Sequence, residues 1–439
     1  MRKLLYRLSL CCVALAPAWA AAQEFTTLKG HGGPIMGVTV NDATGQVASA
    51  SFDNSVGLWQ GRLPLWLEGH DAAVNTVLFL GADRLASAGD DFTVILWDRA
   101  AGGSTHLTGH KGKIVDLAQS PDGAWLASAS WDGTIGLWPL FGDAAETARF
   151  LSGHEAGVNA VAFSADGARL YSASADGTIR IWDMTNDGSR ILTDQGFGVN
   201  RIVSGPEDAW LAYGAVDGVT RVIDTQTGDQ LADFSLDRRP ILALAHHPET
   251  HRLAVGDGHG YIMIIDTDQW RILRDFRAMR RGPVWALDFS ANGRNILAGG
   301  IEDIVYSWPI ALLDEFDPAG GEQRSFLRDP EDMPNGERQF MRKCSICHAL
   351  TPPPSRKAGP SLYGLFGRKA GSVPGYPYSE ILTGSDIVWS DDTIDALFDI
   401  GPDHYIPGSR MPMQRITAPG DRQDLIAYLR RATAPQKEN

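Results

Sequence analysis

From residue 106 onward the chain sets short β-rich runs against clusters of turn formers: HLT, KIVDLAQ, WLASAS and TIGLW, parted by GHKG, SPDG and WDG. Val, Ile, Leu and Trp in such runs predict strands, and Gly, Pro, Asp and Ser at fixed offsets supply the tight turns between them. The succession then repeats. LTGHKGKIVDLAQSPDGAWLASASWDGTIGLWP (107–139) aligns without a gap on LSGHEAGVNAVAFSADGARLYSASADGTIRIWD (151–183), and a period of about forty residues runs through seven units. A four-stranded sheet of this size cannot bury both its faces alone, whereas seven stacked radially bury each other and leave few exposed edges. EFTTL (24–28) has no three partner strands before it, and the seventh unit ends at IVYSW without a fourth strand, so the first strand is expected to complete the last sheet. Beyond it, FDPAGGEQRSFLRDPEDMPNGE (316–337) is rich in Gly, Pro and charge and has no period, as a linker and entry turn would. The pattern then turns helical: GERQFMRKCSICHAL (336–350) reads as one helix, and Leu425, Ile426, Tyr428 and Leu429 form an apolar stripe at helical spacing.

The repeated units resemble WD repeats, whose pattern is a Gly-His near the start, an Asp in a late turn and Trp-Asp at the end of a strand. The matching histidines are His31, His70, His110 and His154, the aspartates Asp53, Asp91, Asp132 and Asp176, and the tryptophans Trp59, Trp97, Trp138 and Trp182. Three weaker units follow, marked by Gln195, Asp217 and Ile223, then His259 and Ile265, then Glu302 and Trp308. The resemblance implies a seven-bladed β-propeller that binds a protein partner. His, Asp, a strand Ser and Trp of one unit are expected to form a buried polar chain, which is a structural role for the histidines. The sixth unit carries four histidines in AHHPETHRLAVGDGHG (245–260). A metal site there is one reading; loop histidines without shared geometry is the other, because His246 and His247 are adjacent and point to opposite faces of a strand.

Residues 1–22, MRKLLYRLSLCCVALAPAWAAA, join a basic start (Arg2, Lys3, Arg7) to a short apolar run and to Ala18 and Ala20 flanking Trp19. This reads as a secretory signal peptide with an A-x-A cleavage site, and it implies the periplasm. A lipoprotein anchor at Cys11 is the rival, opposed by the bulky Leu10. No later stretch reaches the roughly 18 to 20 apolar residues of a membrane helix. Of the 4 cysteines, cleavage removes Cys11 and Cys12 and leaves Cys344 and Cys347. The formal net charge of −14 disfavours nucleic acid as a partner. Residues 332–439 carry 13 Lys and Arg against 12 Asp and Glu, so the acidity sits in the repeats.

The stretch KCSICHAL (343–350) holds both remaining cysteines three apart with His348 directly after. A disulfide, a zinc half-site and haem attachment are the options. The adjacent histidine and the lack of a second ligand pair disfavour zinc, a thioredoxin-like context is missing, and C-x-x-C-H is the c-type haem signature. AGPSLYGLFGRKAGSVPGYPYSEIL (358–382), WSDDTIDALF (389–398), YIPGSRM (405–411) and DRQDLIAYLRRAT (421–433) resemble class I cytochrome c of the mitochondrial type. Carried over position by position, the resemblance implies one covalent haem c on Cys344 and Cys347, iron held by His348 and Met411, and Pro360 beside the proximal ring. It also implies Arg368, Tyr378 and Trp389 around a propionate, and Gly336, Phe340, Leu425 and Tyr428 packing the first helix on the last. Met413, two residues beyond Met411, is a conceivable exchange ligand, and Phe398 stands where the family often has a tyrosine near the distal sulfur. Asp403 and His404 replace lysines of the family's basic ring, so partner choice cannot be borrowed.

The expected architecture is multidomain: a signal peptide (1–22), an all-β seven-bladed propeller (23–313), a linker (314–331) and a small all-α cytochrome c domain (332–439). The expected function is periplasmic electron transfer, with a redox protein partner docking at propeller and haem edge. The alternative is an oxidoreductase whose propeller carries a second cofactor or metal exchanging electrons with the haem; a redox sensor is a third reading.

Overall fold

The computed structural model describes residues 25–141, 148–186, 188–234, 240–315 and 334–435, apart from positions 346, 355, 356, 408, 410 and 412–414. The segment 1–22, all but the first two residues of the 314–331 linker, and Met413 therefore lie outside the described residues.

Seven four-stranded antiparallel sheets follow one another along the chain. Six are built in sequence order. The seventh is closed by the N-terminal strand Thr26–Lys29, which pairs with Ile304–Pro309 in the register Thr26↔Ser307 to Lys29↔Ile304. Joining the first and last strands of the propeller in one sheet removes the free edge that an open ring would leave. The same offset applies throughout: HLT belongs to strand Gly103–Leu107, which pairs on Val94–Asp98 of the preceding sheet, so the sequence unit straddles two blades. Each innermost strand carries a bulge at its start, between Ile35 and Gly37, Val74 and Thr76, Ile114 and Asp116, and likewise in the other four sheets. A bulge raises local twist, and a ring of short sheets needs that twist where the inner strands crowd together.

The expected polar chains are present in the first four units. His110 Nδ1 donates to Asp132 Oδ2 at 2.9 Å, its Nε2 accepts from Ser128 Oγ at 2.8 Å, and Trp138 Nε1 donates to the same hydroxyl at 2.8 Å. The sets His31–Asp53–Ser49–Trp59, His70–Asp91–Ser87–Trp97 and His154–Asp176–Ser172–Trp182 repeat it. Burial pushes the Asp132 carboxyl up, but hydrogen bonds from Thr134, the Lys111 amide and His110 outweigh it and bring the group to about 2. The weaker units improvise. Tyr213 donates to Gln195 at 2.7 Å in the fifth, and Tyr306 to Glu302 at 2.7 Å in the seventh.

In the sixth unit His246 and His247 take opposite sides of strand Ile241–His247: His246 packs edge-on against Trp210 at 4.9 Å between ring centroids, and His247 lies 5.7 Å from Phe289. His251 pairs with Asp268 at 3.0 Å on the surface. Among the described residues no three His, Cys, Asp or Glu side chains are grouped to hold a metal. Burial, then the charges of His247 and His251, pull His246 down from 6.5 to about 4. A folded state that disfavours the imidazolium keeps its full stability above pH 6.5 and loses it as pH falls from 6.5 towards 4, by roughly 1–2 kcal/mol once partial exposure is allowed for. Urea midpoints at about pH 7 and about pH 4.5 measure this loss. It is expected to shrink in His246→Phe, and an unchanged loss would place the acid-sensitive group elsewhere.

The C-terminal body is all-helical, with α1 (Asn335–Lys343), α2 (Glu380–Thr383), α3 (Asp391–Ile400), α4 (Pro402–Tyr405) and α5 (Pro419–Ala432). The pairs predicted from resemblance meet where α1 crosses α5. A Cβ on Gly336 would collide with the Asp424 carbonyl, Phe340 lies 5.5 Å from Tyr428 between ring centroids, and Leu425 is fully buried. Arg422 ties α5 to α3 through Asp395 at 2.8 Å and Asp399 at 3.0 Å. Among the described residues no helix is long and apolar enough to cross a membrane.

Candidate functional site

The single helix expected over 336–350 is shorter. α1 stops at Lys343, and Cys344 caps it through its amide to Phe340 O at 2.8 Å. The chain then turns back on itself: the amides of Cys347 and His348 both donate to Cys344 O, at 3.1 and 2.9 Å. Beyond the regular helix, the turn closed on Cys344 O by these two amides brings both thiols and the imidazole into one cavity. That cavity encloses about 1490 Å³ free of protein atoms, part of it open to solvent.

Cys344 is buried and Cys347 half-buried, and neither is in a disulfide. Burial, then the neighbouring Cys347, pushes the Cys344 thiol up to about 12; burial likewise raises Cys347. Both are thus neutral thiols in apolar surroundings. His348 Nδ1 donates to Pro360 O at 2.8 Å. Burial lowers its pKa, while that hydrogen bond works in the other direction. The ring is held as the neutral tautomer with its proton on Nδ1, which leaves the Nε2 lone pair for a metal.

The structure brings Met411, Pro360, Arg368, Tyr378 and Trp389 to the lining of this same cavity. Arg368 donates to Tyr363 O at 2.5 Å and Ser361 O at 2.8 Å, and burial pulls its guanidinium below the ordinary value. The Trp389 amide donates to Arg368 O at 3.0 Å, which ties the two backbone segments together. Phe398, Leu397, Ile394 and Leu365 supply buried apolar wall.

Gly359 escaped the sequence reading. A Cβ there would stand 2.5 Å from His348 Cε1 and 2.7 Å from Nδ1. Only a glycine lets the backbone pass so close to the ring. Tyr376 was missed as well; its hydroxyl donates to Ala358 O at 2.6 Å and pins the loop under the histidine. The AGP run before Ser361 was the available signal for Gly359, but its meaning depends on a ring that is distant in the sequence.

The WD domain, G-beta repeat family matches residues 22–60, 62–98, 104–139 and 145–183, and the cytochrome c family matches residues 334–433. The C-terminal body is similar to cytochrome c of Sesamum indicum, 41% identical over 107 residues, which are 24% of this chain and 94% of that protein. Cytochrome c of Gossypium barbadense is 40% identical over 107 residues, again 24% and 94%, and that of Gibberella zeae is 40% identical over 102 residues, 23% and 95%. Two thiols on one turn, an imidazole fixed by a carbonyl and an apolar cavity bearing the half-buried Arg368 guanidinium fit a covalently bound haem c.

Proposed function

Since the chain belongs to the cytochrome c family through residues 334–433, we propose that it is a periplasmic electron carrier whose propeller docks a redox protein. Haem c, when bound, supplies reversible one-electron exchange at iron. The chain's own residues do the rest. Cys344 and Cys347 anchor the macrocycle through thioether bonds. His348 Nε2 and the Met411 sulfur would hold the iron. Arg368, Tyr378 and Trp389 hold a propionate, and the aromatic and aliphatic wall around Phe398 excludes water. Two protein ligands offered to one iron would leave no coordination site for a substrate, which favours a carrier over an enzyme. The observation that carries this reading is His348 locked by Pro360 O at 2.8 Å, with Met411 lining the same cavity.

Surface composition supports the propeller's role. Phe92, Trp131, Val216 and Ile301 occupy the turn between the second and third strands of their sheets, and Phe197 the connection between two sheets on the same face. Trp131 and Phe197 are 56% and 57% exposed. Aromatic residues clustered on one face are the usual anchors of a protein interface. Phe92 also adopts φ 64°, where the third to sixth sheets have Gly133, Gly177, Gly218 and Gly260 at φ 85–89°. Holding a bulky side chain in the left-handed region costs about 1–2 kcal/mol, and such strain tends to persist at binding sites.

The test is Met411→Ala beside Met413→Ala, both in the mature full-length chain. Only the first is expected to lose the sulfur-to-iron charge-transfer band of the ferric state, entirely, and to bind carbon monoxide at once when reduced. Loss of the band in Met413→Ala alone would move the ligand and overturn this assignment.

A further inference from the structure

The cavity around Cys347 and His348 does not end within the C-terminal body. Phe52 and Asn54 from the turn of the first sheet, Ala72 and Ala73 from the loop entering the second, and Asp90 from the turn of the second line the same space. Lys357, two residues before Gly359, lies half-buried on this side. Burial pulls its ammonium down, and the carboxylates of Asp303 and Asp53, with Cys347, act to raise it. Asp303 occupies the corresponding turn of the seventh sheet, between Asn295–Gly300 and Ile304–Pro309. The innermost strand of the first sheet packs against those of the second and the seventh. Cavity wall and charge thus come from three consecutive blades, on the face that carries the exposed aromatics.

We propose that the acidic turn face of the seventh, first and second blades is the docking surface for the haem edge of the chain's own C-terminal body, with Lys357 as its ionic anchor. The inference rests on reading residues 334–433 as haem-bearing. Its sign follows from charge. The repeats hold the acidity of the chain, and the C-terminal body is close to neutral with Lys357 within electrostatic reach of Asp303 and Asp53. Any protein that takes electrons at the Cys347 edge must compete with the propeller for it. Coverage is expected to weaken as salt screens the contact, since the Debye length falls to about 3 Å at 1 M.

Hydroxyl-radical footprinting of the full-length haem protein tests this, because it reads the Phe52 side chain directly. In the native chain at low salt Phe52 is expected to be protected. Its oxidation is expected to rise roughly fivefold in Lys357→Glu, and similarly in the native chain near 0.5 M salt, while Lys357→Arg keeps the native protection. Trp131, outside the covered blades, is the internal reference and should stay constant. Equal oxidation of Phe52 in the native chain, in Lys357→Glu and at high salt would overturn the docking. Haem staining and reduction by dithionite are recorded in parallel. A chain without covalent haem would refute the carrier reading, and the footprinting contrast would still decide the docking.

Discussion

Gly359→Ala is expected to abolish stable haem incorporation and leave the propeller folded. The added methyl would sit 2.5 Å from His348 Cε1 and 3.0 Å from the Cys347 carbonyl, distances that no ordinary contact reaches. Something must move. The backbone on one side is tied by the Gly359 amide to Cys347 O at 2.7 Å, and on the other by Tyr376 to Ala358 O, so the imidazole gives way. Turning the ring breaks its bond to Pro360 O, and with it the alignment of Nε2. Losing such a supporting bond lowers metal affinity by about 10–100-fold, and overpacking a tight site adds about 1–3 kcal/mol of strain. A haem-stained denaturing gel and the visible spectrum measure the outcome. The control is Gly420→Ala, near the start of α5 with nothing within 4 Å of an added Cβ, which should be neutral or stabilising by up to about 1 kcal/mol. A Gly359→Ala protein with native haem content and spectrum would show that the close approach is not required.

The second large effect belongs to the propeller. His110→Ala is expected to destabilise the protein by about 3 kcal/mol, because Asp132 and Ser128 each lose a partner in a site water does not reach well. The imidazole also packs edge-on against Trp138 and Phe150, with ring centroids 6.1 and 5.1 Å away, so a cavity is added to the lost hydrogen bonds. Burial lowers the pKa of His110 against the pull of Asp132. Its contribution is therefore complete above the unfolded value of 6.5 and declines as pH falls below it, so the variant should lose less on acidification than the native chain. Denaturant midpoints at two pH values check both statements. His106, exposed on an outer strand, is the comparison and should change stability by less than about 0.5 kcal/mol when replaced by alanine. A loss in His110→Ala no larger than that would sink the polar-chain argument.

The propeller was legible because its physics is local and repeated. Strand runs, turn residues and the His, Asp and Trp positions recur at a fixed period, and recurrence exposes them even where single units are weak. The fifth and seventh units kept the strands while exchanging the polar partners: Gln195 with Tyr213 could not be paired from sequence, since that pair forms only when distant segments meet, and Glu302 with Tyr306 is local but follows no repeat position. The attachment motif was equally visible, as Cys344, Cys347 and His348 are neighbours in the chain. The helix expected through them was wrong in extent: regular α1 stops at Lys343, and past it the amides of Cys347 and His348 close only a turn on Cys344 O.

The chain order of residues thus determined the seven strand quartets, the closure by the first strand and the thiol pair with its histidine, all of which depend on short-range pattern or on counting. The tertiary structure decided what depends on distant segments meeting. It supplied the bulge that opens every inner strand, the glycine under the imidazole and the turns of the first two blades that line the mouth of the cavity. Periodicity encodes which face of an element is apolar, but it carries no information about which remote backbone passes 3 Å from a given ring.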